Sequence, residues 1–170
     1  MTDEYKNIRK MEVGDIDEVC KIWLTCSLIA HGFIPAGFLH SLLPKIKKQW
    51  EDNCSSNNYQ MYVYKEEGSA IKGFIIIRNE NNYVEELFVS PEYQGQDIGS
   101  KILDEIKKDK EFLEVNVYQL NTGAIIFYTK QDFDVKKGEK SFHIEKDTGQ
   151  WKIRMRWEKD PLLSQLKTQY

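Results

Sequence analysis

The chain has 170 residues, a length that fits one domain, and its 41% hydrophobic, 12% aromatic and 30% charged composition excludes a disordered or collagen-like chain. With 24 Lys+Arg against 27 Asp+Glu the formal net charge is −3, which gives no general attraction to nucleic acid or to an anionic membrane. Any anion site must therefore be local.

The first ten residues are polar and mixed in charge, where a secretory leader needs a basic start and an apolar stretch. The expectation is a soluble, cytoplasmic chain with no nucleic-acid or membrane partner, either monomer or homodimer. Its three cysteines, Cys20, Cys26 and Cys54, are odd in number and lack C-x-x-C spacing. They read as reduced structural thiols, with neither a disulfide framework nor a metal site indicated.

In chain order, residues 5–10 read as a short strand. Asp15-Ile16-Asp17-Glu18 then offers an N-cap with a carboxylate at N3, the capping-box pattern. Ile16, Val19, Cys20, Trp23, Leu24 and Leu28 recur at helical steps and predict a first helix ending near Ser27 or Leu28. His31 to Pro35 breaks the pattern, and Phe38, Leu39, Leu42, Leu43, Ile46 and Trp50 resume it as a second helix. Pro44 is expected to kink or split that helix. The polar run Asn53 to Asn58 is a loop.

Met61 to Lys65, Ile71 to Arg78 and Tyr83 to Ser90 predict three strands of an antiparallel meander, joined at Glu66 to Ser69 and at Asn79 to Asn82 by turn residues. Ile98, Ile102, Leu103 and Ile106 mark a helix, Phe112 to Tyr118 a strand and Thr122 to Lys130 another helix. This is a β-α-β-α arrangement and implies a mixed sheet. Phe142 to Ile144 and the alternating Trp151, Ile153, Met155 and Trp157 flank a Lys146 to Gly149 turn, a final hairpin. Lys152, Arg154 and Arg156 fall on its outward face and read as a solvated edge, His143 reads as structural, and residues 161–170 read as a tail.

Tyr93-Gln94-Gly95-Gln96-Asp97-Ile98-Gly99-Ser100-Lys101 follows a strand and opens a helix. Unpaired N–H groups and a partial positive charge at a helix start, with glycines beside them, suit a phosphate. The segment fits neither G-x-G-x-x-G nor the P-loop, in which the two glycines stand one residue further apart.

It resembles instead the coenzyme A loop of the GNAT superfamily of N-acetyltransferases, R/Q-x-x-G-x-G/A after a strand ending in V-x-P. Gln94, Gly95, Ile98, Gly99 and Val89-Ser90-Pro91 match, and Asp97 stands where glycine is usual. A second block, Asn121 to Phe133, is similar to the family's N-x-x-A-x-x-F-Y-x-K-x-G-F, with Asp132 in place of its glycine. The resemblance covers residues 5 to 158. It implies an α/β (α+β) fold of a single GNAT-like domain over residues 1–160, with a mixed, mostly antiparallel sheet whose central strands splay and are flanked by helices.

It further implies acetyl-CoA as cofactor. Backbone partners would come from Leu87, Phe88 and Val89, and further contacts from Gln94, Gly95, Gln96, Asp97, Ile98, Gly99, Ser100, Asn121, Ala124 and Tyr128. Tyr128 matches the family's acid for the departing thiolate, with a core aromatic as the alternative, and Asn121 matches a cofactor contact or an N-cap. An alkylamine acceptor with a pKa near ~10.4 is ammonium at neutral pH, so a base or water path is needed. Glu85 is the candidate base. Strand alternation puts it with Leu87 and Val89, where desolvation would raise its pKa, and Glu86 replaces it if a bulge shifts the register.

Trp23, His31, Phe33 and Trp50 are candidate acceptor walls, and Trp23 to Ile34 resembles a W-x(7)-H-x-F stretch of small bacterial acetyltransferases. The leading expectation is acetylation of a primary amine of a small-molecule or amino-acid-like acceptor. The alternatives are acetylation of a protein N-terminus or lysine, and a non-catalytic acyl-CoA-binding domain.

Overall fold

A charged contact fixes the start of the fold. In the computed structural model, which describes residues 6–138 and 141–160, the Arg9 guanidinium donates to both carboxylate oxygens of Asp15 at 2.7 and 2.8 Å. Asp15 also accepts the Glu12 backbone N–H at 2.8 Å. These bonds hold its buried carboxyl below the usual carboxylate range, the Arg9 hydrogen bonds acting most strongly. The capping box expected at Asp15 therefore does not form, and Asp15 makes no side-chain cap to the following helix. Glu18, its expected partner, accepts the Ile71 N–H at 2.8 Å.

The chain forms two compact units, Met1–Glu105 and Ile106–Tyr170. The first contains β1 (Ile8–Lys10), α1 (Ile16–Ala30), α2 (Ala36–Asn53), β2 (Tyr59–Tyr64), β3 (Gly73–Arg78) and β4 (Tyr83–Val89), and α3 (Ile98–Lys107) starts within it. Its four strands lie in chain order and pair antiparallel, the meander the turn residues predict. Gly73 to Ile77 are all buried, so β3 reads as a continuous apolar run rather than an alternating one. Fully burying each of its large side chains contributes about 1.5–3 kcal/mol.

Several boundaries differ from expectation, each for a local reason. α1 runs on to Ala30, and Ile22 and Cys26 join its buried face while Leu24 and Leu28 are only half-buried. α2 continues through Pro44 without a break. Pro44 and His40, whose carbonyl loses its helical donor there, are both exposed, so water can satisfy that carbonyl. The Ile71 N–H is taken by Glu18, and β3 begins two residues later, at Gly73.

The second unit contains β5 (Phe112–Tyr118), α4 (Thr122–Lys130), β6 (Asp134–Val135), β7 (Phe142–Ile144) and β8 (Trp151–Glu158). β8 pairs along one side with β5, and along the other with β7 and then the unforeseen β6. It is therefore an inner strand, and the solvated edge expected for Lys152, Arg154 and Arg156 is corrected. The Arg154 and Arg156 side chains are only 26% exposed, turned toward the buried carboxylate of Glu114, which also pairs with Lys136. Residues 161–170, expected to be a tail, lie outside the described residues. Among the described residues no helix is long and apolar enough to cross a membrane.

The end of α4 explains the second sequence block. Phe133 N–H donates to the Tyr128 carbonyl at 3.0 Å and Asp132 N–H to the Thr129 carbonyl at 3.1 Å, the paired bonds of a Schellman cap. Its hydrophobic contact is Phe133 against Tyr128, with ring centroids 5.1 Å apart. Such a cap needs a left-handed residue between them, and Asp132 has φ 62°. Asp occupies that region at a cost, and its charge opposes the helix dipole. Asp132→Gly should stabilise the protein by about 0.5 kcal/mol or more, a rise in Tm of roughly 1–3 °C by calorimetry. A lower Tm would mean that the carboxylate makes a contact worth more than the strain.

Candidate functional site

β4 carries an extra residue. Glu86 lies opposite Ile76 and Val84 opposite Ile77, so Glu85 is the unpaired residue of a β-bulge. Cross-strand partners share a face, which places Leu87 with Ile75 and Val89 with Gly73, but Glu86 with Ile76 and Phe88 with Phe74. The ion-pair partner of Glu85 is Arg78, which alternation puts on the Phe74 and Ile76 face. The bulge thus resets the parity that sequence alternation assumed: Glu85 sides with Glu86 and Phe88, not with Leu87 and Val89. Burial pushes its carboxyl above the usual range, and Arg78 pulls the other way.

That face carries the aromatic residues of the α1–α2 connection. His31 lies 5.7 Å from the Phe33 ring and 6.4 Å from the Phe88 ring, while Trp50 packs on Phe74 at 5.6 Å. The His31 backbone N–H caps α1 by donating to Ser27. Trp23 is 5% exposed within the buried stripe of α1. The expected acceptor residues His31 and Phe33 therefore stand on the same face as both glutamates, and Trp23 belongs to the packing beneath α1.

At the end of β4, Ser90 N–H donates to the Lys72 carbonyl at 2.8 Å. Alternation then turns the peptide groups of Phe88 toward β3 and those of Leu87 and Val89 away from it. The Val89 carbonyl accepts two bonds within the unit, from the Cys26 thiol at 3.3 Å and from Gln94 Nε2 at 2.9 Å. Burial pushes the Cys26 thiol up to about 11, so it remains a donor at neutral pH. A Cβ at Gly73 would stand 2.9 Å from the Phe88 carbonyl oxygen, so only glycine lets the two strands approach here. Sequence reading missed Cys26 and Gly73, since a partner 63 residues away leaves no local signal.

The loop beyond fits a pyrophosphate. Gly95 takes φ 78° and Asp97 φ 59°, and the Asp97 carbonyl accepts the Lys101 N–H at 2.9 Å. Asp97 is therefore the N-cap of α3, and Ile98, Gly99 and Ser100 are its first turn, whose N–H groups have no acceptor within the helix. Gln96 and Asp97 are exposed, whereas Ile98 and Gly99 are buried and anchor the turn.

In the second unit, Asn121 caps α4 through its side chain, which accepts the Ala124 N–H at 3.1 Å. Ala124 is half-buried. Tyr128 is 5% exposed, with its ring between Phe127 at 5.2 Å and Phe133 at 5.1 Å.

Residues 57–135, which run from the loop before β2 to the end of β6, match the family described as Acetyltransferase (GNAT) domain. Over these residues the chain is similar to the GNAT acetyltransferases. It is 27% identical over 128 residues to the peptidyl-lysine N-acetyltransferase YiaC of Escherichia coli (strain K12), covering 75% of this chain and 83% of that one. Its fold is similar to that of the PaiA N-acetyltransferase from Thermoplasma acidophilum, solved in complex with coenzyme A, at 19% identity and TM-score 0.72 over 89% of this chain and 98% of that one. It is similar also to the ribosomal-protein-S18-alanine N-acetyltransferase of Escherichia coli, at 20% identity and TM-score 0.63 over 89% and 92% of the two chains.

The left-handed Asp97 accounts for the glycine usual at this position in the GNAT pattern: the backbone needs the conformation and Asp tolerates it. Its carboxylate, however, repels phosphate. Two unit charges ~6 Å apart at an effective dielectric of about 20–80 interact by roughly 0.7–3 kcal/mol before screening. Asp97→Gly should tighten acetyl-CoA binding several-fold at low salt, with the gain shrinking as salt rises. Relief of strain and loss of the first-turn carboxylate should leave stability nearly unchanged. Equal or weaker binding by calorimetry would show that the carboxylate points away from the phosphates.

Proposed function

We propose that the chain acetylates the primary amine of a small-molecule or amino-acid-like acceptor. The observation that carries this reading is the face of the first unit on which Glu85 and Glu86 stand with the rings of His31, Phe33 and Phe88. Carboxylates beside aromatic faces suit a cationic ammonium group that must be held and then deprotonated.

Acetyl-CoA supplies a thioester whose acetyl carbon the free amine attacks, with release of the coenzyme A thiol. The Leu87 peptide groups, the Val89 N–H and the first turn of α3, Ile98 to Ser100, are the groups we assign to holding it. Glu85 takes the proton from the ammonium nitrogen, and its raised proton affinity suits that task. The Tyr128 hydroxyl gives a proton to the departing sulfur, and Ala124, one turn earlier, leaves space by its small side chain. The Asn121 side chain fixes the start of the helix that carries both.

A peptidyl-lysine acceptor is the second reading, and the likeness to the lysine acetyltransferase YiaC favours it. Thiol release measured across free amines, amino acids and lysine peptides separates the two. Turnover of free amines with none on peptides supports the first, and the reverse supports the second. Cofactor binding without thiol release from any acceptor would instead indicate an acyl-CoA-binding domain.

Tyr128→Phe should lower kcat about 10- to 10⁴-fold with little change in acetyl-CoA affinity, because only a proton donor is removed from a ring held by its neighbours. An unchanged kcat under rate-limiting chemistry would make Tyr128 structural. Glu85→Gln should depress kcat/KM and remove its acidic limb, and Glu86→Gln should leave that limb in place. The opposite result would move the base to Glu86, the regularly paired residue.

A further inference from the structure

Arg78 is the last residue of β3 and lies opposite Tyr83. Its guanidinium carbon sits 5.1 Å from the centre of the Tyr83 ring, which holds the side chain by a cation–π contact. Its Nε stands 3.6 Å from the Glu85 carboxylate, just beyond hydrogen-bond reach, and that buried nitrogen has no hydrogen-bond partner among the described residues. A buried N–H without an acceptor is unfavourable, so its persistence beside the bulged glutamate calls for a reason. The Glu85 side chain is 21% exposed, and among the described residues its charged partner is Arg78 alone. The titratable and charged groups on its face are Arg78 from β3, His31 from the α1–α2 connection and, on β4 itself, Tyr83 and Glu86.

We propose that Arg78 is a positioning residue for proton transfer, holding Glu85 as an aimed carboxylate without occupying the lone pairs that must accept the substrate proton. The inference rests on Glu85 being the base. A carboxylate gripped by a close guanidinium fork would be strongly acidified, with its oxygens engaged. One left half-buried without a cation would hold its proton more tightly and act as a base over a narrower pH range. A guanidinium at ion-pair distance but short of a hydrogen bond meets both needs. It favours the charged form before proton uptake and favours release of the proton to water afterwards. The bulge is the device that makes this possible, because it turns Glu85 to the side of the sheet where Arg78 lies.

The test needs no known acceptor at its first stage. The full chain, labelled with ¹³C at glutamate carboxyls and assigned through Glu85→Gln, is titrated by NMR as wild type, Arg78→Met and Arg78→Lys. Arg78→Met keeps aliphatic contact with the Tyr83 ring and removes the charge, and Arg78→Gln serves if it fails to fold. Loss of an opposite charge at this range should raise the proton affinity of Glu85 about tenfold, and Arg78→Lys should restore most of it. In thiol-release assays the acidic limb of kcat/KM should move to higher pH by the same factor, because a base is active only when deprotonated. A Glu85 titration unmoved in a folded Arg78→Met protein overturns the proposal. A moved titration with full activity in Glu85→Gln overturns it differently, by showing that Glu85 is not the base. A merely structural Arg78 would lower stability and leave the acidic limb where it was.

Discussion

The carbonyl of Val89 ties together the working parts of the first unit. It ends the strand that carries Glu85, and it accepts from the Cys26 thiol of α1 and from the side-chain amide of Gln94. Each bond contributes on the order of 0.5–1.5 kcal/mol, so the gain in stability is modest. The geometric consequence is larger. A strand end held from a helix on one side and from the following loop on the other cannot drift, and α3 begins only a few residues further on. The thiol keeps its proton until about pH 11, so this tether persists across the neutral range.

Much of the architecture was legible because it is written in local periods. The apolar stripe of α1, the meander and the succession of strand, helix, strand and helix after Tyr83 all follow from side-chain spacing and turn residues. What escaped was set by distant partners. Asp15 has the spacing of a cap, yet Arg9 claims its carboxylate. Glu18 completes the same pattern, yet the Ile71 N–H claims it. The bulge at Glu85 leaves no trace in sequence because it arises from the pairing of β4 with β3, and it reversed the face inferred by alternation. Lys152, Arg154 and Arg156 alternate like an exposed edge, but β6 and β7 make β8 an inner strand.

The two departures from the family pattern have a common physical meaning. Asp97 and Asp132 both adopt positive φ, at 59° and 62°, where the pattern has glycine. The glycines of that pattern therefore answer first to backbone conformation, and aspartate is among the few residues that can substitute. The consequences differ by place. At Asp132 the cost falls on a helix end and on the aromatic contact between Tyr128 and Phe133, hence on stability. At Asp97 it falls on the exposed loop to which we assign the cofactor phosphates, hence on binding.

The central claim is that the loop from Gln94 to Ser100 gives this chain a functional acetyl-CoA site despite its extra carboxylate. Calorimetric titration of the full chain with acetyl-CoA, at low and at high salt, tests it most directly. The account predicts binding in the micromolar range that weakens as salt screens the pyrophosphate from the helix terminus. No heat of binding at millimolar acetyl-CoA, or an affinity indifferent to salt, would contradict it.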